Sequence, residues 1–210
     1  VTTHQIREEP DDVSFYSRRG DASVCLGKFS DSRLDYEKMI QLNPQLNISH
    51  WRLGIAYFYL SDFSKAAHQF EIYHKYDQVD RENGIWRFMS QYKEYGLGYA
   101  RKGLLTYDKN DRPPYPWLYL MFSGVLSPDA VFQKIKEEAF HKEYEIRVLF
   151  HANLYVGIYL ELTGDSPKEA LLYLSRAVSN EYGKSTGTYM WQVARLHYAK
   201  LVDSLNKNRN

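Results

Sequence analysis

The sequence predicts an all-α chain, a solenoid of stacked helical hairpins, on three observations. A pattern returns after 34 residues: Gly20 matches Gly54, Leu26 matches Leu60, Phe29 matches Phe63, Ser32 matches Ala66 and Tyr36 matches Phe70, with Pro44 closing the first copy. Small residues sit at Gly20, Gly54, Ala66 and Ala67, where paired helices come close only if side chains are small. Apolar residues recur at helical spacing, and no alternating strand pattern competes. A hairpin of this kind cannot bury its apolar face alone, so stacked copies share a core and leave one curved surface for a partner.

Asp12 is placed to cap a first helix from about Val13 to Leu26, with Phe15, Tyr16, Arg19, Val24 and Leu26 spaced around it and Gly27 ending it. A second helix follows Ser30, with Leu34, Met39, Ile40 and Leu42 as its apolar face, and stops at Asn43-Pro44 because proline disfavours a helical residue before it. The next hairpin opens at Asn47–Ser49, where capping is the expected role of an Asn-Ile-Ser that also reads formally as a glycosylation acceptor. It runs through Trp51, Leu53, Ile55, Ala56, Tyr57 and Leu60, turns at Ser61-Asp62 and returns through Ala66, Ala67, Phe70 and Tyr73. The same register puts Phe88 where a third glycine belongs, Ala100 opposite Ala66 and Leu104 opposite Phe70, a degenerate copy with helices over about 80–94 and 98–107. Lys109–Pro116, with three prolines, is the clearest break. Two shorter helices come next, about 115–123 and 128–138, the second begun by Ser127-Pro128-Asp129. A restored copy starts near Glu143, with Asn153, Val156, Gly157, Leu160 and Gly164-Asp165 in its first helix and Ala170, Leu174 and Ala177 in its second, after one inserted residue at Ser166-Pro167. A capping helix over about 186–206 closes the array, and residues 1–210 are read as one helical domain.

Composition excludes several classes. At 210 residues, 44% hydrophobic and 25% charged, the chain is long enough for a sizeable core. A formal charge of +1 gives no global field towards nucleic acid or an anionic membrane. The charge asymmetry is local: Glu8, Glu9, Asp11 and Asp12 near the start, Lys200, Lys207 and Arg209 near the end. The single cysteine, Cys25, excludes an internal disulfide framework and is read as a small core hydrophobe. The longest nearly apolar runs, Leu53–Leu60 and Trp117–Phe122, fall far short of a spanning helix, so no transmembrane segment is expected. The opening VTTHQIREEPDD lacks a signal-peptide pattern, as a processed or truncated chain would too, so composition leaves the compartment unread.

The copies at 13–46, 47–78 and 150–182 resemble tetratricopeptide (TPR) repeats in period and in residue size at several positions together. The degenerate NGIWRFMSQYKEYG, the spacer PWLYLMFSGVLSPDAVFQKIKEEA and the restored NLYVGIYLELTGDSPKEALLYLSRAVSNE give the whole layout, over about 13–200, a narrower likeness. It resembles the NlpI family of bacterial outer-membrane TPR lipoproteins. That resemblance implies a non-catalytic homodimeric adaptor that docks a processing protease and cell-wall hydrolases in the envelope or periplasm; without it, a cytoplasmic chain is the expectation. Two features depart from the family: no lipidation cysteine lies near the start, and its N-terminal dimerising helices are not evident in residues 1–12.

In TPR arrays the first helix of each pair lines the concave face. Carried onto this chain, that gives Ser17, Asp21 and Cys25 in the first copy, Trp51, Ile55, Phe58 and Tyr59 in the second, and Met89, Tyr92 and Lys93 in the third. The family tryptophan belongs where His50 stands, and one residue rotates a side chain by about 100° on an α-helix. Trp51 therefore either faces the groove or, if the register shifts locally, stays in the core. Exposed, Trp51, Phe58, Tyr59 and Tyr92 would make an aromatic hot spot. Chaperone-tail binders of the family hold a terminal carboxylate with a Lys, Asn and Arg clamp, but here Ser17 and Asp21 occupy the first clamp positions and Asp21 would repel a carboxylate.

No catalytic, metal or cofactor residues are assigned. His4, His50, His68, His74, His141, His151 and His197 form no HExxH and no familiar ligand spacing. Gly96, Gly98 and Gly103 follow no strand, so they make no phosphate loop. The sequence thus points to a scaffold or adaptor that binds proteins or peptides and forms a homo-oligomer under the resemblance. The alternatives are a receptor for a small ligand or peptidoglycan fragment, and an enzyme on a helical array, which would need a tight cluster of perturbed acid or base groups.

Overall fold

The computed structural model describes residues 3–164 and 166–207. Asp165, matched with Gly164 in the restored copy, and Arg209 of the basic tail lie outside the described residues. All regular structure among the described residues is helical, and the fold is of the TPR helical-hairpin type. Where the sequence suggests one domain, the structure sorts the chain into two compact units, Val1–Asn110 and Asp111–Asn210, and the division falls inside the proline-rich break.

Unit 1 begins with a short helix α1 (Thr3–Glu8) and continues with α2 (Val13–Cys25), α3 (Phe29–Leu42), α4 (Trp51–Tyr59), α5 (Phe63–Tyr76), α6 (Arg81–Tyr95) and α7 (Leu97–Lys102). Asp12 caps α2 as expected, accepting from the Ser14 N–H at 2.8 Å, and hydrogen bonding to Ser14 holds its carboxyl below the usual carboxylate range. A 3₁₀ turn over Pro44–Ser49 then leads to α4, which is capped by His50, not by Asn47 or Ser49: His50 Nδ1 accepts from the Leu53 N–H at 3.3 Å.

The two clear hairpins meet at their glycines. A Cβ on Gly20 would lie 2.5 Å from the Tyr36 ring, and one on Gly54 would lie 2.7 Å from the Phe70 ring. In each case the ring sixteen residues on fills the space that the missing side chain leaves. Tyr36 and Phe70 are wholly buried, which makes each ring the keystone of its hairpin.

Three further expectations about the helices of unit 1 fail. Leu26 is 70% exposed, because α2 ends one residue earlier and Leu26 sits on the turn. Leu34 is 56% exposed: α3 buries Ser32, Asp35, Tyr36 and Met39, and Leu34 lies two residues from Ser32 and Tyr36, about 200° round the helix. The helix expected over 98–107 stops at Lys102. Phe88 stands where glycine would permit close approach and is itself buried, so the third hairpin lacks a full second helix; Ala100 alone keeps the expected inward place.

Unit 2 contains α8 (Tyr115–Ser123), α9 (Pro128–Glu137), the 22-residue α10 (Lys142–Thr163), α11 (Pro167–Ser179), a short α12 (Glu181–Thr186) and α13 (Tyr189–Lys207). Ser127 caps α9, accepting from the Ala130 N–H at 3.2 Å. The α10–α11 hairpin repeats the glycine seat, with a Cβ on Gly157 falling 2.7 Å from Leu174 Cγ. The offset is seventeen residues here, one more than in unit 1, as the single insertion requires. α13 caps this hairpin through Met190, Val193, Ala194, His197 and Leu201, and Trp191 Nε1 donates to the Val178 carbonyl at 3.0 Å. At the heart of the unit, the Tyr115 hydroxyl and His151 Nδ1 share a hydrogen bond of 2.8 Å, and burial lowers the His151 pKa to about 3.

Candidate partner-binding surface

His50 takes the seat that the repeat pattern gives to tryptophan. The imidazole is buried where the repeat places its tryptophan, its centroid 4.9 Å from the Tyr36 ring and its Nε2 3.5 Å from Met39 Sδ. Desolvation, with the Arg52 charge nearby, lowers its pKa to about 4, so it is a neutral core residue and helix cap. With that seat filled by His50, Trp51 stands one residue on, half-buried at the start of α4.

The first helices of the two hairpins are joined by charge. Arg52 Nη1 donates to both Asp21 oxygens, at 2.8 and 2.6 Å, while the Tyr36 hydroxyl donates to Asp21 Oδ1 at 2.6 Å. The Arg52 guanidinium also lies 5.5 Å from the Tyr36 ring centroid. Both charged side chains stay partly open to solvent, 25% for Arg52 and 39% for Asp21. Below this pair runs a second one: Arg19 Nε donates to Asp35 Oδ2 at 2.9 Å and Nη2 to Oδ1 at 2.6 Å, with Asp35 buried. The lower pair fixes α2 on α3. The upper pair is a polar feature joining the first helices, and Ser17 of α2 and Trp51 of α4 are half-buried.

Other predicted groove residues are elsewhere. Ile55 and Met89 are fully buried and Phe58 is 7% exposed, so these three belong to the core. For Phe58 the cause lies in the degenerate third repeat: Trp86 of α6 packs edge-on against it at 5.2 Å and stacks near Phe70 at 6.1 Å, while Met89 is buried on α6 itself. Nor do the aromatics form one patch. Trp51 and Tyr59 occupy opposite ends of the nine-residue α4, about 12 Å apart along its axis. Tyr59 stacks on Phe29 at 4.5 Å, and Tyr92 lies 6.3 Å from Phe88. Of the predicted positions, Ser17, Asp21, Cys25, Trp51, Tyr59 and Tyr92 stay half-buried and Lys93 exposed, and only at Asp21 does a charged pair, with Arg52, join two first helices.

Arg52 escapes repeat numbering, although the sequence carries a signal for it. Asp21 and Arg52 are opposite charges 31 residues apart, about one helical turn short of the 34-residue period, and that offset faces them across adjoining first helices. A second concavity of unit 1, about 260 Å³, lies between α3, α4 and α5 over Ile40, Leu53 and Ile72. Its acid, Glu37, accepts from the Tyr57 hydroxyl at 2.8 Å, and burial together with this bond pushes the phenol pKa up. Among the described residues no group of three or more His, Cys, Asp or Glu is placed to hold a metal ion, and no helix is long and apolar enough to cross a membrane.

No protein-family model matches the chain. It is similar to the bovine protein SGT1 homolog, 27% identical over 84 residues, which are 40% of this chain and 25% of that protein. It is also similar to the Hsp70-Hsp90 organizing protein of Triticum aestivum, 30% identical over 95 residues, 44% of this chain and 16% of the relative. The Hsp70-Hsp90 organizing protein 3 of Arabidopsis thaliana is 28% identical over 95 residues, again 44% of this chain, and 17% of its own length. The match thus takes in a quarter or less of each relative.

Proposed function

We propose that the chain is a non-catalytic adaptor that holds another protein against the first-helix face of unit 1. The observation that carries this reading is a half-open Asp21–Arg52 pair beside Trp51, set on hairpins whose glycine seats fix the helices in place. A rigid face with an aromatic and an arginine at its centre has the composition of an interface hot spot. Likeness to proteins named as organisers of Hsp70 and Hsp90 supports the adaptor reading. The pair also shapes the ligand. Arg52 is already neutralised by Asp21, so the face offers no unpaired guanidinium for a terminal carboxylate and suits an internal segment with an apolar or aromatic side chain for Trp51. In the finer form of the proposal, which rests on the NlpI-like layout, the partner is an envelope protease or cell-wall hydrolase and the adaptor works as a homodimer.

The test is a quantitative pull-down from envelope and cytosolic fractions of the native organism, using the wild-type chain, Trp51→Ala and Arg52→Glu, each checked for helix content. A protein retained by the wild type and reduced at least about tenfold by both variants is expected, a loss typical of hot-spot truncation. A protease or wall hydrolase from the envelope supports the finer form; a chaperone from the cytosol replaces it. Recovery of the chain alone, or retention that neither variant changes, overturns the adaptor reading.

A further inference from the structure

The segment after α7 is held in an unusual way. Where a second helix of the third hairpin is expected, residues 103–108 run back along α6 without helical structure. Two arginines of α6 grip this strap by its main chain: Arg87 Nη1 donates to the Gly103 carbonyl, and Arg81 Nη2 donates to the Tyr107 carbonyl at 3.4 Å. Arg87 is itself positioned by Gln91 Oε1 and Glu71 Oε2, both at 3.3 Å. Gly103 lies close under the end of the Gln91 side chain, where a Cβ would fall 2.5 Å from Oε1, so a small residue seats there without moving Gln91. Four residues on, the Tyr107 ring is bracketed by His74 of α5, at 4.8 Å and 75°, and by the Arg81 guanidinium at 4.9 Å.

These contacts have the chemistry of peptide recognition. Carbonyls are read by guanidinium donors without regard to side chain, and specificity is confined to a small residue at one end and a ring at the other. Leu104 and Leu105 between them are only half-buried, so the strap is not locked into a core. His74 adds to this picture, because burial and the nearby Arg87 charge lower its pKa and leave a neutral ring against Tyr107.

We propose that the α5–α6 seam is an exchangeable binding site for an extended peptide with a small residue followed four places on by an aromatic one, and that residues 103–108 occupy it as an internal competitor. The site is separate from the face bearing Asp21, Trp51 and Arg52. A partner segment of this pattern displaces the strap and frees the chain between α7 and the proline-rich break.

The probe is a fluorescent peptide of residues Gly103–Asn110, added to the full chain and followed by anisotropy. A tethered occupant competes at an effective concentration on the order of millimolar, so the wild type binds the peptide weakly and Tyr107→Ala binds it at least about tenfold more tightly. Adding Arg81→Ala to Tyr107→Ala abolishes the gain, and a peptide carrying Tyr107→Ala does not bind. Should Tyr107→Ala lose helix content by circular dichroism, Tyr107→Leu replaces it, keeping apolar volume without the ring. A folded variant that binds no better than the wild type, or that keeps its gain without Arg81, overturns the proposal.

Discussion

Gly54→Ala places a single methyl where the second hairpin closes, directly against the Phe70 ring. Inside α4 the change raises helix propensity by about 1 kcal/mol. Against this, the new Cβ would lie 2.7, 2.9 and 2.9 Å from three atoms of the Phe70 ring, well inside ordinary contact. Phe70 has no room to retreat, being fully buried with Trp86 stacked near it at 6.1 Å. Overpacking of this kind costs about 1–3 kcal/mol, and with the ring pinned the upper end applies, which leaves a net loss of about 2 kcal/mol. Gly98→Ala is the control: Gly98 lies in α7 with no atom within 4 Å of the position its Cβ would take and no positive φ, so the same chemical change stabilises by up to about 1 kcal/mol. Native-state hydrogen exchange of the α4 and α5 amides reads the loss locally, which matters because the chain has two compact units and a global midpoint would mix them. Opening free energies that are unchanged or higher in Gly54→Ala would refute the seated-hairpin reasoning, and with it the repeat assignment of unit 1.

Arg19→Ala strands the buried Asp35 carboxylate, and urea unfolding should show unit 1 weakened by about 2–3 kcal/mol, at or just below the range for broken buried pairs because Arg19 is 32% exposed. Adding Asp35→Leu to Arg19→Ala should recover most of that loss; no recovery would mean the pair acts through something other than buried charge. Acid should weaken both units: His50 and His151 have folded pKa values of about 4 and about 3 against 6.5 for a free imidazole, so below pH 6.5 the unfolded chain binds protons that the folded one does not. Stability is therefore complete above pH 6.5 and falls on acidification by about 1.4 kcal/mol per pH unit for each histidine, down to its folded pKa. His151→Phe, compared with the wild type in denaturant titrations at about pH 7 and about pH 5, should remove the share of unit 2; an identical pH slope in the two chains would discard this account. Asp21→Asn leaves Arg52 without its counter-charge on an open face, and partner binding by an acidic peptide segment should gain from it in surface plasmon resonance, while unchanged binding would take the pair out of the proposed surface.

The part of the fold legible in the sequence is the part that glycine dictates. Gly20, Gly54 and Gly157 could be read because each makes the same demand, a large side chain sixteen or seventeen residues on, and Tyr36, Phe70 and Leu174 answer it. Phe88 could be read as the place where the pattern lapses, but the strap after α7 could not: the sequence pattern carries the helix on to about 107, whereas it stops at Lys102. That Arg81 and Arg87 would hold an extended strap by its carbonyls is a property of the fold, since backbone acceptors leave no mark on residue choice. The candidate surface failed in the same region. Repeat positions assign Ile55 and Phe58 of α4 to an open groove only if the next first helix is slender, and Trp86 makes it bulky; Met89, on that helix itself, is buried with it. One lapse in the glycine pattern thus has two effects: aromatic packing shuts the groove beyond α4, confining the polar face to Asp21, Trp51 and Arg52, and the missing second helix uncovers the seam that the strap fills. Within the degenerate repeat the two effects separate: truncating buried Trp86 or Phe88 should cost stability, whereas a change at the half-buried Tyr107 of the strap should alter what the seam grips more than how stably unit 1 folds.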